Sequence, residues 1–455
     1  MISPAKQKGK ANFQHAESIL TGGFLAVILL GTVLLALPIS SASGRSIGLF
    51  KSLFTSTSAV CVTGLVAVDT GTTFSWVGQI ILLMLIQVGG LGFMVFATML
   101  MVMLGRKISL KGRMLIRESM NTASLSDLGS LTKLYLLLSV AIELIGAVLL
   151  SLRFVPLFGW KHGIWMALFH SVSAFCNAGF DLFGSYASLT AFSGDPLVLL
   201  TVAALVILGG LGFSVILEAF RNRQGFRNLS LHTRIVLMTT LGLLLAGTLF
   251  FWLAERTHTE TLAGRGEGDK ILNAFFQSVT LRTAGFNSFD LSGLRDGSKL
   301  FSSLLMMIGA SPASTGGGIK TTTIATLTLL MLSVIRGESE VNVARRRLSD
   351  DIVRRALAVT GLFMIVLLTG TLMISFIEGE RFPLEDVLFE ASSAMGTVGV
   401  SAIGTPNLSA ASQAVLLPMM FLGRVGPLTL AVAMAKRQGN IKSSARYPEE
   451  RIMIG

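Results

Sequence analysis

The chain of 455 residues is 52% apolar and only 14% charged, with a mean hydropathy of +0.71. Because a soluble globular domain carries about 25% charged residues, this composition excludes a soluble domain and indicates a membrane protein. The net charge of +12 does not indicate nucleic-acid binding, because most of the 37 lysines and arginines cluster between long apolar runs. The two cysteines, Cys61 and Cys176, offer neither a metal-binding spacing nor a disulfide framework.

The apolar runs, taken in chain order, predict four similar units. In each unit a spanning helix of about 20 residues precedes a segment too short to span and then a second spanning helix. The segments are predicted at Ile19 to Leu37, Gly48 to Cys61 and Val77 to Leu104 (unit 1), Leu131 to Leu152, Ile164 to Phe175 and Leu197 to Phe220 (unit 2), Ile235 to Leu253, Ile271 to Leu281 and Leu300 to Ile335 (unit 3), and Ile352 to Phe376, Val387 to Met395 and Ala414 to Ala435 (unit 4). Each short segment is expected to enter the membrane and return.

Basic clusters separate these units and predict their orientation. They lie at Lys6 to Lys10, Arg106 to Arg117, Arg221 to Arg234, Arg336 to Arg355 and Lys436 to Arg451. Because cytoplasmic segments are enriched in lysine and arginine, both termini are expected in the cytoplasm. The expected divisions are a cytoplasmic tail at 1–17, repeats at 18–117, 118–227, 228–347 and 348–437, and a second cytoplasmic tail at 438–455.

One pattern recurs at the end of all four short segments. It reads as an aromatic residue, a stretch of small and hydroxyl residues, and a glycine followed by an apolar residue. The copies are Leu53 to Leu65, Leu168 to Phe180, Phe276 to Phe286 and Leu388 to Val400, with the glycines at Gly64, Gly179, Gly285 and Gly399. Their spacing of about 110 residues is too long for a soluble solenoid repeat and indicates four fused structural units.

Four half-helices that end inside a membrane predict a cation site. Such an end leaves unpaired carbonyls and the negative end of the helix dipole at membrane depth, where irregular backbone needs protein or a watery path around it. Glycine lets successive carbonyls face a lumen and replace a cation's hydration shell. Thr397 to Val400 also closely matches the start of the potassium-channel filter Thr-Val-Gly-Tyr-Gly. The alternative is that these glycines only relieve close helix packing.

Four helix–pore loop–helix repeats in one chain resemble the superfamily of Trk, Ktr and HKT cation transporters, and among them most closely the membrane subunit of bacterial Ktr systems. The resemblance covers nearly the whole chain. It implies an all-α polytopic membrane protein with eight spanning helices and four re-entrant pore helices around a pseudo-fourfold pore. The implied potassium filter binds K+ through Val62, Thr63, Gly64, Asn177, Ala178, Gly179, Thr283, Ala284, Gly285, Thr397, Val398 and Gly399. Plant relatives that favour sodium carry serine at the first glycine position, so Gly64 favours potassium.

The same resemblance implies the protein's partners and setting. It predicts a homodimer in the lipid of a bacterial inner membrane, each protomer having its own pore, with Na+ as an activator. It also predicts a cytosolic ring of RCK-type, KtrA-like subunits that bind ATP or ADP. The segment Gly316 to Thr321 does not have the spacing of a nucleotide-binding P-loop, so we expect no organic cofactor in this chain. No nucleic-acid partner is expected.

A break in the second helix of unit 3 predicts a gate. A proline and three consecutive glycines cannot continue a helix well, so this segment must be irregular. The resemblance implies an intramembrane gate below the filter, formed by Gly309, Ala310, Ser311, Pro312, Ala313, Ser314, Thr315, Gly316, Gly317, Gly318 and Lys320. The glycine-rich stretches at the same place in the other three units are not expected to be similarly broken, and each lies within a span predicted as one continuous helix. A static kink is the alternative to a gate.

Charges inside apolar segments are costly and usually face a cavity or a partner. Arg424 is expected to act on pore electrostatics by limiting cation occupancy, or to anchor the gate. A structural ion pair with Glu390 or another acid is the alternative. Arg282 is expected to bond backbone carbonyls behind the filter, and Glu143 to serve packing or a dimer contact.

The function predicted from these features is channel-like potassium uptake driven by membrane potential. Two other classes remain open, namely a stoichiometric symporter and the potassium-binding subunit of an ATP-driven pump. A symporter more often has inverted repeats, whereas these four units share one orientation. An intramembrane enzyme is not expected, because the histidines are scattered and no nucleophile–base spacing occurs.

Overall fold

The computed structural model describes residues 21–92, 128–222, 225–338, 340–343 and 346–426. Over these residues the chain is mainly helical. The α-helices of more than four residues are α1 (Thr21–Ala36), α2 (Leu49–Val60), α3 (Trp76–Leu91), α4 (Leu128–Phe158), α5 (Trp160–Phe175), α6 (Pro196–Leu211), α7 (Phe213–Arg221), α8 (Leu231–Glu255), α9 (Glu267–Thr280), α10 (Asp296–Met307), α11 (Thr321–Ile335), α12 (Asp350–Glu378), α13 (Leu384–Gly396) and α14 (Ala410–Val425). Between α11 and α12, β1 (Asn342–Val343) pairs antiparallel with β2 (Arg346–Arg347).

Several expectations fall outside the described residues. They are the two tails, the basic clusters Lys6 to Lys10, Arg106 to Arg117 and Lys436 to Arg451, and the ends of two predicted spans at Leu104 and Ala435.

Long apolar helices identify a polytopic membrane protein. Within the described ranges, α4, α8 and α12 are long and apolar enough to cross a membrane, and the bent pair α6 and α7 is a fourth candidate. The shorter helices α1, α3, α11 and α14 are also apolar. Leu137, Val148 and Leu152 of α4 are each more than 60% exposed. Exposed leucine and valine along a long apolar helix indicate contact with lipid.

Side-chain caps fix where several of these helices begin. The hydroxyl of Ser75 accepts from the Gly78 N–H at 3.2 Å before α3, and that of Ser409 accepts from the Ser412 N–H at 3.3 Å before α14. Asp195 caps α6, whose first residue is Pro196. Such residues satisfy N–H groups that have no partner within the helix.

The four shorter amphipathic helices α2, α5, α9 and α13 are arranged cyclically around the centre of the protein. Each packs against the second long helix of the unit before it: α5 against α3, α9 against α6 and α13 against α10. The last contact, between α14 and α2, joins the C-terminal unit to the N-terminal one. The packing therefore closes on itself.

A repeated serine–glycine contact holds three of these helices against the long helix of their own unit. A serine hydroxyl donates to a main-chain carbonyl: Ser56 to Ile28, Ser171 to Glu143 and Ser278 to Leu244, at 2.6–3.0 Å. Three residues after each acceptor stands a glycine, Gly31, Gly146 or Gly247, at which a Cβ would overlap the serine hydroxyl. Small residues permit the close approach, and the hydroxyl bonds across it.

The prediction of a single continuous second helix in units 1, 2 and 4 is wrong. The predicted span Leu197 to Phe220 is divided at Gly212, whose φ of 92° stops α6, and α7 leaves at an angle of 98°. Gly92 and Gly426 end α3 and α14 with φ values of 84° and 92°. Left-handed backbone at a glycine interrupts the helical hydrogen-bond ladder at low steric cost. A helix end at this level is therefore a feature of all four units.

Candidate functional site

The four repeated glycines meet in one closed ring, which we call the glycine ring (Gly64, Gly179, Gly285 and Gly399). A Cβ built on Gly64 would lie 2.6 Å from the Ala178 carbonyl oxygen. One built on Gly179 would lie 2.7 Å from the Gly285 Cα, and one on Gly285 would lie 2.7 Å from the Val398 oxygen. A Cβ on Gly399 would overlap the Thr63 oxygen and complete the circle. Only glycine permits so close an approach of four backbone segments.

The backbone before the ring has the same conformation four times. The residue two places before each glycine has a positive φ: Val62 (51°), Asn177 (57°), Thr283 (68°) and Thr397 (53°). The ring glycines have φ values of 91°, 68°, 86° and 95°. Positive φ is uncommon outside glycine, and such strain persists only where the surroundings hold it. Reversals in the sign of φ also let successive carbonyls face one side of a strand.

One hydroxyl per unit holds this conformation from behind. In units 1 and 4 the hydroxyls of Ser58 and Ser393 accept from the ring-glycine N–H, both at 3.0 Å. In units 2 and 3 a hydroxyl donates to the carbonyl after the ring glycine: Ser173 to Phe180 at 2.8 Å and Thr280 to Phe286 at 2.5 Å. The four hydroxyls occupy corresponding places, since the third copy is one residue shorter. The sequence indicated only a hydroxyl-rich stretch here and did not predict the role of these four hydroxyls.

The predicted filter residues are buried, yet their carbonyl oxygens have no protein donor. All eight non-glycine residues among them are at most 1% exposed. Within the part of the chain that the structure describes, no hydrogen bond ends on a carbonyl oxygen of the twelve predicted filter residues. Buried carbonyls normally have partners because leaving them unpaired is costly. A ring of such oxygens is chemically suited to replacing the hydration shell of a cation.

The predicted gate segment (residues 309–320) is irregular and lies against the ring strands. Helix α10 ends at Met307 and α11 begins at Thr321, so the break falls on the segment that was predicted to be irregular. The Gly317 N–H donates to the Thr397 hydroxyl at 3.1 Å, and a Cβ on Gly316 would overlap the Thr283 hydroxyl. The segment therefore touches the strands of units 3 and 4 two residues before their ring glycines.

The same segment is bonded to the second helices of two neighbouring units. In unit 2 the Thr315 N–H donates to the Gly209 oxygen at 3.1 Å and the Ser311 N–H to the Gly210 oxygen at 3.0 Å. In unit 4 the Gly423 carbonyl accepts from the Gly318 N–H at 3.2 Å. The segment is therefore held to these two units by a few hydrogen bonds to backbone atoms. Such bonds would have to break if the segment moved.

Two cations secure the segment through carbonyl oxygens. The Arg424 guanidinium donates to Thr315 and, on its other side, to Gly89 and Gly90, the last at 3.2 Å. The Lys320 ammonium donates to the Gly316 carbonyl at 2.7 Å. Arg424 of unit 4 therefore links the gate segment to the backbone of unit 1.

The alternative ion pair between Arg424 and Glu390 is not found. Glu390 instead accepts hydrogen bonds from Ser401 and Thr405. Arg282 is buried, and the expected bonds from it to carbonyls are not among those of the described residues. Glu143 has a packing contact: it accepts from the Gln87 amide of α3 at 2.9 and 3.1 Å.

These observations define the class of the protein, a polytopic helical membrane protein built around a central ring of backbone. The chain belongs to the TrkH family, described as cation transport protein, which matches residues 2–444. A crystal structure of the potassium transporter TrkH from Vibrio parahaemolyticus shares the fold, with a TM-score of 0.69 and 19% identity over 90% of this chain and 84% of that one.

Curated relatives match the chain over almost its full length. It is 42% identical to Ktr system potassium uptake protein B of Bacillus subtilis over 96% of both chains. It is 41% identical to the protein of the same name from Vibrio alginolyticus, over 99% of this chain and 97% of that protein. It is 36% identical to the potassium/sodium uptake protein NtpJ of Enterococcus hirae over 96% of both.

Proposed function

We propose that this chain takes up potassium across the membrane of a bacterial cell, and that the glycine ring is its selectivity filter. The observation that carries the proposal is the closed ring of four buried backbone strands, whose carbonyl oxygens have no donor among the residues that the structure describes. Such oxygens select a cation by the number and strength of the dipoles that replace its hydration shell. The names of the relatives from Bacillus subtilis and Vibrio alginolyticus support potassium as that cation.

The architecture that goes with this function has four repeats, at 18–117, 118–227, 228–347 and 348–437. Each contributes two spanning helices and one re-entrant pore helix (α2, α5, α9 or α13), which makes eight spans with both termini in the cytoplasm. The cyclic packing of the four pore helices supports a pseudo-fourfold axis through the ring. The positions of the basic clusters support the orientation.

Transport through this pathway is channel-like and driven by the membrane potential. Each positive charge gains about 2.3 kcal/mol per 100 mV, which suffices to concentrate potassium without ATP hydrolysis in this chain. The gate segment obstructs the pathway below the ring, and a cytosolic nucleotide-binding ring of RCK type controls it in a homodimer. The Ktr system names of the relatives support such partners. The name of NtpJ, a potassium/sodium uptake protein, supports a role for sodium. We propose that sodium stimulates potassium uptake by this chain.

Ion-dependent stability of the purified chain tests the filter without its partners. A cation bound in the native ring stabilises the fold by about 2.7 kcal/mol at a concentration of 100 times its Kd. Unfolding is therefore expected at a higher temperature in KCl than in NaCl at equal ionic strength. Choline chloride provides the baseline without a ring-binding cation. Equal unfolding temperatures in all three salts would count against a potassium-selective ring.

Arg424 variants distinguish an anchor of the gate from an electrostatic barrier. We expect Arg424→Ala to raise basal potassium flux about tenfold, which corresponds to 1.4 kcal/mol, because Thr315 loses its link to Gly89 and Gly90. Arg424→Lys keeps the positive charge but lacks the planar guanidinium that donates to carbonyls of both the gate segment and unit 1. The potassium flux of this variant should therefore also rise. The measurement is potassium flux in proteoliposomes. Wild-type flux in Arg424→Lys together with high flux in Arg424→Ala would favour the electrostatic role instead.

A further inference from the structure

A fully buried carboxylate joins the pore helix of the fourth unit to the strand that follows its ring glycine. Glu390 of α13 is 0% exposed. One of its carboxylate oxygens accepts from the Ser401 hydroxyl and the other from the Thr405 hydroxyl, both at 2.5 Å. Both donors come after Gly399. The carboxylate therefore ties the backbone after the ring to the helix that precedes it.

The two donors are themselves fixed, so the tie is part of a continuous network. The Ser401 hydroxyl also accepts from the Gly404 N–H at 2.8 Å. The amide of Gln413 in α14 donates to the carbonyls of Thr405 and Leu408, both at 3.1 Å. Movement of the strand after Gly399 would therefore have to break bonds to both α13 and α14.

The carboxylate is not explained by an ion pair. No salt bridge to Glu390 occurs among the described residues, and Asp386, one turn earlier in α13, pairs with Lys299 at 2.8 Å. A carboxylate buried without a cation is costly, and its hydroxyl donors offset only part of that cost. The arrangement is thus a poor way to stabilise α13 but an effective way to fix the position of a strand.

Corresponding positions in the other pore helices show a twofold pattern. When the third copy is aligned as one residue shorter, the residues that correspond to Glu390 in the other pore helices are Thr55, His170 and Gln277. The His170 ring accepts from the Leu182 N–H at 3.3 Å, three residues after Gly179, so unit 2 is tied as unit 4 is. Thr55 bonds only within its own helix, and the amide of Gln277 has no partner among the described residues. Units 2 and 4 lie opposite each other in the ring.

We infer that Glu390 is a positioning residue that holds the carbonyls of Thr397, Val398 and Gly399 at the spacing a potassium ion requires. The inference rests on the proposed function of the ring as a potassium filter. Glu390 does not touch the ion. It acts through Ser401 and Thr405, and its loss allows the fourth strand to relax toward a geometry that accepts sodium.

The test compares Glu390 with a second buried glutamate that has the same chemistry elsewhere. Glu255 is also 0% exposed and accepts from the hydroxyls of Thr261 at 2.7 Å and Ser298 at 2.5 Å, but none of its partners belongs to a ring strand. Wild type, Glu390→Ala, Glu255→Ala and Ser401→Ala are reconstituted separately in proteoliposomes. Potassium and sodium fluxes are measured at one imposed potential, and the unfolding temperature of each variant is recorded.

We expect Glu390→Ala to lower the ratio of potassium to sodium flux about fivefold or more, since it removes two buried hydrogen bonds. Glu255→Ala should lower the unfolding temperature to a similar extent and leave the flux ratio within about twofold of wild type. Ser401→Ala removes one donor and should give an intermediate ratio. It also decides the matter if Glu390→Ala does not fold.

Two results would overturn the inference. One is a wild-type ratio in Ser401→Ala, together with a wild-type ratio in Glu390→Ala whenever that variant folds. The other is an equal fall of the ratio in Glu255→Ala, which would mean that any loss of stability relaxes the filter. If wild type itself shows no potassium preference, the proposed filter fails and the role of Glu390 fails with it. That outcome is distinct because it appears before any variant is compared.

Discussion

Gly285→Ala is expected to reduce the preference for potassium over sodium at least about tenfold and to lower total potassium flux, since each 1.4 kcal/mol of lost binding is a factor of ten. At φ 86° an alanine costs about 1–2 kcal/mol in backbone strain. Its Cβ would also lie 2.7 Å from both the Val398 oxygen and the Gly179 Cα, which are backbone atoms of the neighbouring ring strands. Those strands must move apart, and the ring then no longer fits one dehydrated ion. Potassium and sodium fluxes in proteoliposomes measure the effect.

Gly264 provides the matched control for this substitution. It lies in the same unit with a φ of 82°, but a Cβ there would meet nothing within 4 Å. Gly264→Ala therefore carries the backbone strain without the close contact and should keep wild-type selectivity. A folded Gly285→Ala protein with wild-type selectivity would contradict the assignment of the glycine ring as the filter.

Deletion of residues 313–317 is expected to raise potassium flux through the isolated chain by about tenfold or more. A tenfold rise corresponds to a permeation barrier that is lower by about 1.4 kcal/mol. The deleted stretch contains the contacts with the ring strands of units 3 and 4 and the carbonyl that Arg424 binds. The deletion can be closed by a short turn, because two residues that remain on either side of it are already joined: the Gly309 N–H donates to the Ile319 oxygen at 2.9 Å. Potassium flux without the cytosolic partner is the readout.

The selectivity of the deletion variant distinguishes an open gate from a damaged pore. The ring strands are unaltered, so the preference for potassium over sodium should remain. Ser314→Ala is the control, since the Ser314 hydroxyl bonds only to Ser311 within the segment, and its flux should match wild type. Unchanged or reduced potassium flux in a folded deletion variant would mean that the break between α10 and α11 is a static kink and not a gate.

The repeated elements could be predicted from the sequence because their composition reflects their environment. The short helix α2 ends at Val60, one residue before the predicted end at Cys61, and the four ring glycines do meet. Glycine after a hydroxyl-rich half-helix has few other uses at membrane depth. The irregular segment in unit 3 was equally visible, since proline and consecutive glycines oppose a helix.

The bend at Gly212 could not be predicted in the same way. Gly209 and Gly210 remain within α6, whereas Gly212, two residues later, adopts a φ of 92° and ends it. A glycine in an apolar run permits both conformations, and tertiary contacts decide between them. Here the Pro312 oxygen would lie 2.6 Å from a Cβ on Gly212, so the gate segment of unit 3 occupies the space beside the bend.

The partners of the buried charges also depend on the fold rather than on the local sequence. Arg424 binds carbonyls of Thr315, Gly89 and Gly90, which are distant in the chain and carry no side-chain signature. Glu390 is satisfied by two hydroxyls, so a search for an oppositely charged residue misses its role. A sequence shows that a charge is buried at a cost, but only the fold shows which dipoles surround it.

The central claim is that four backbone strands form one self-sufficient, potassium-selective pathway. Its most direct test is the flux of potassium against sodium in proteoliposomes that contain this chain alone, under an imposed membrane potential and without ATP. A self-sufficient pathway should give potential-driven flux that prefers potassium. Sodium-preferring flux, or no flux from folded protein even after residues 313–317 are deleted, would contradict it.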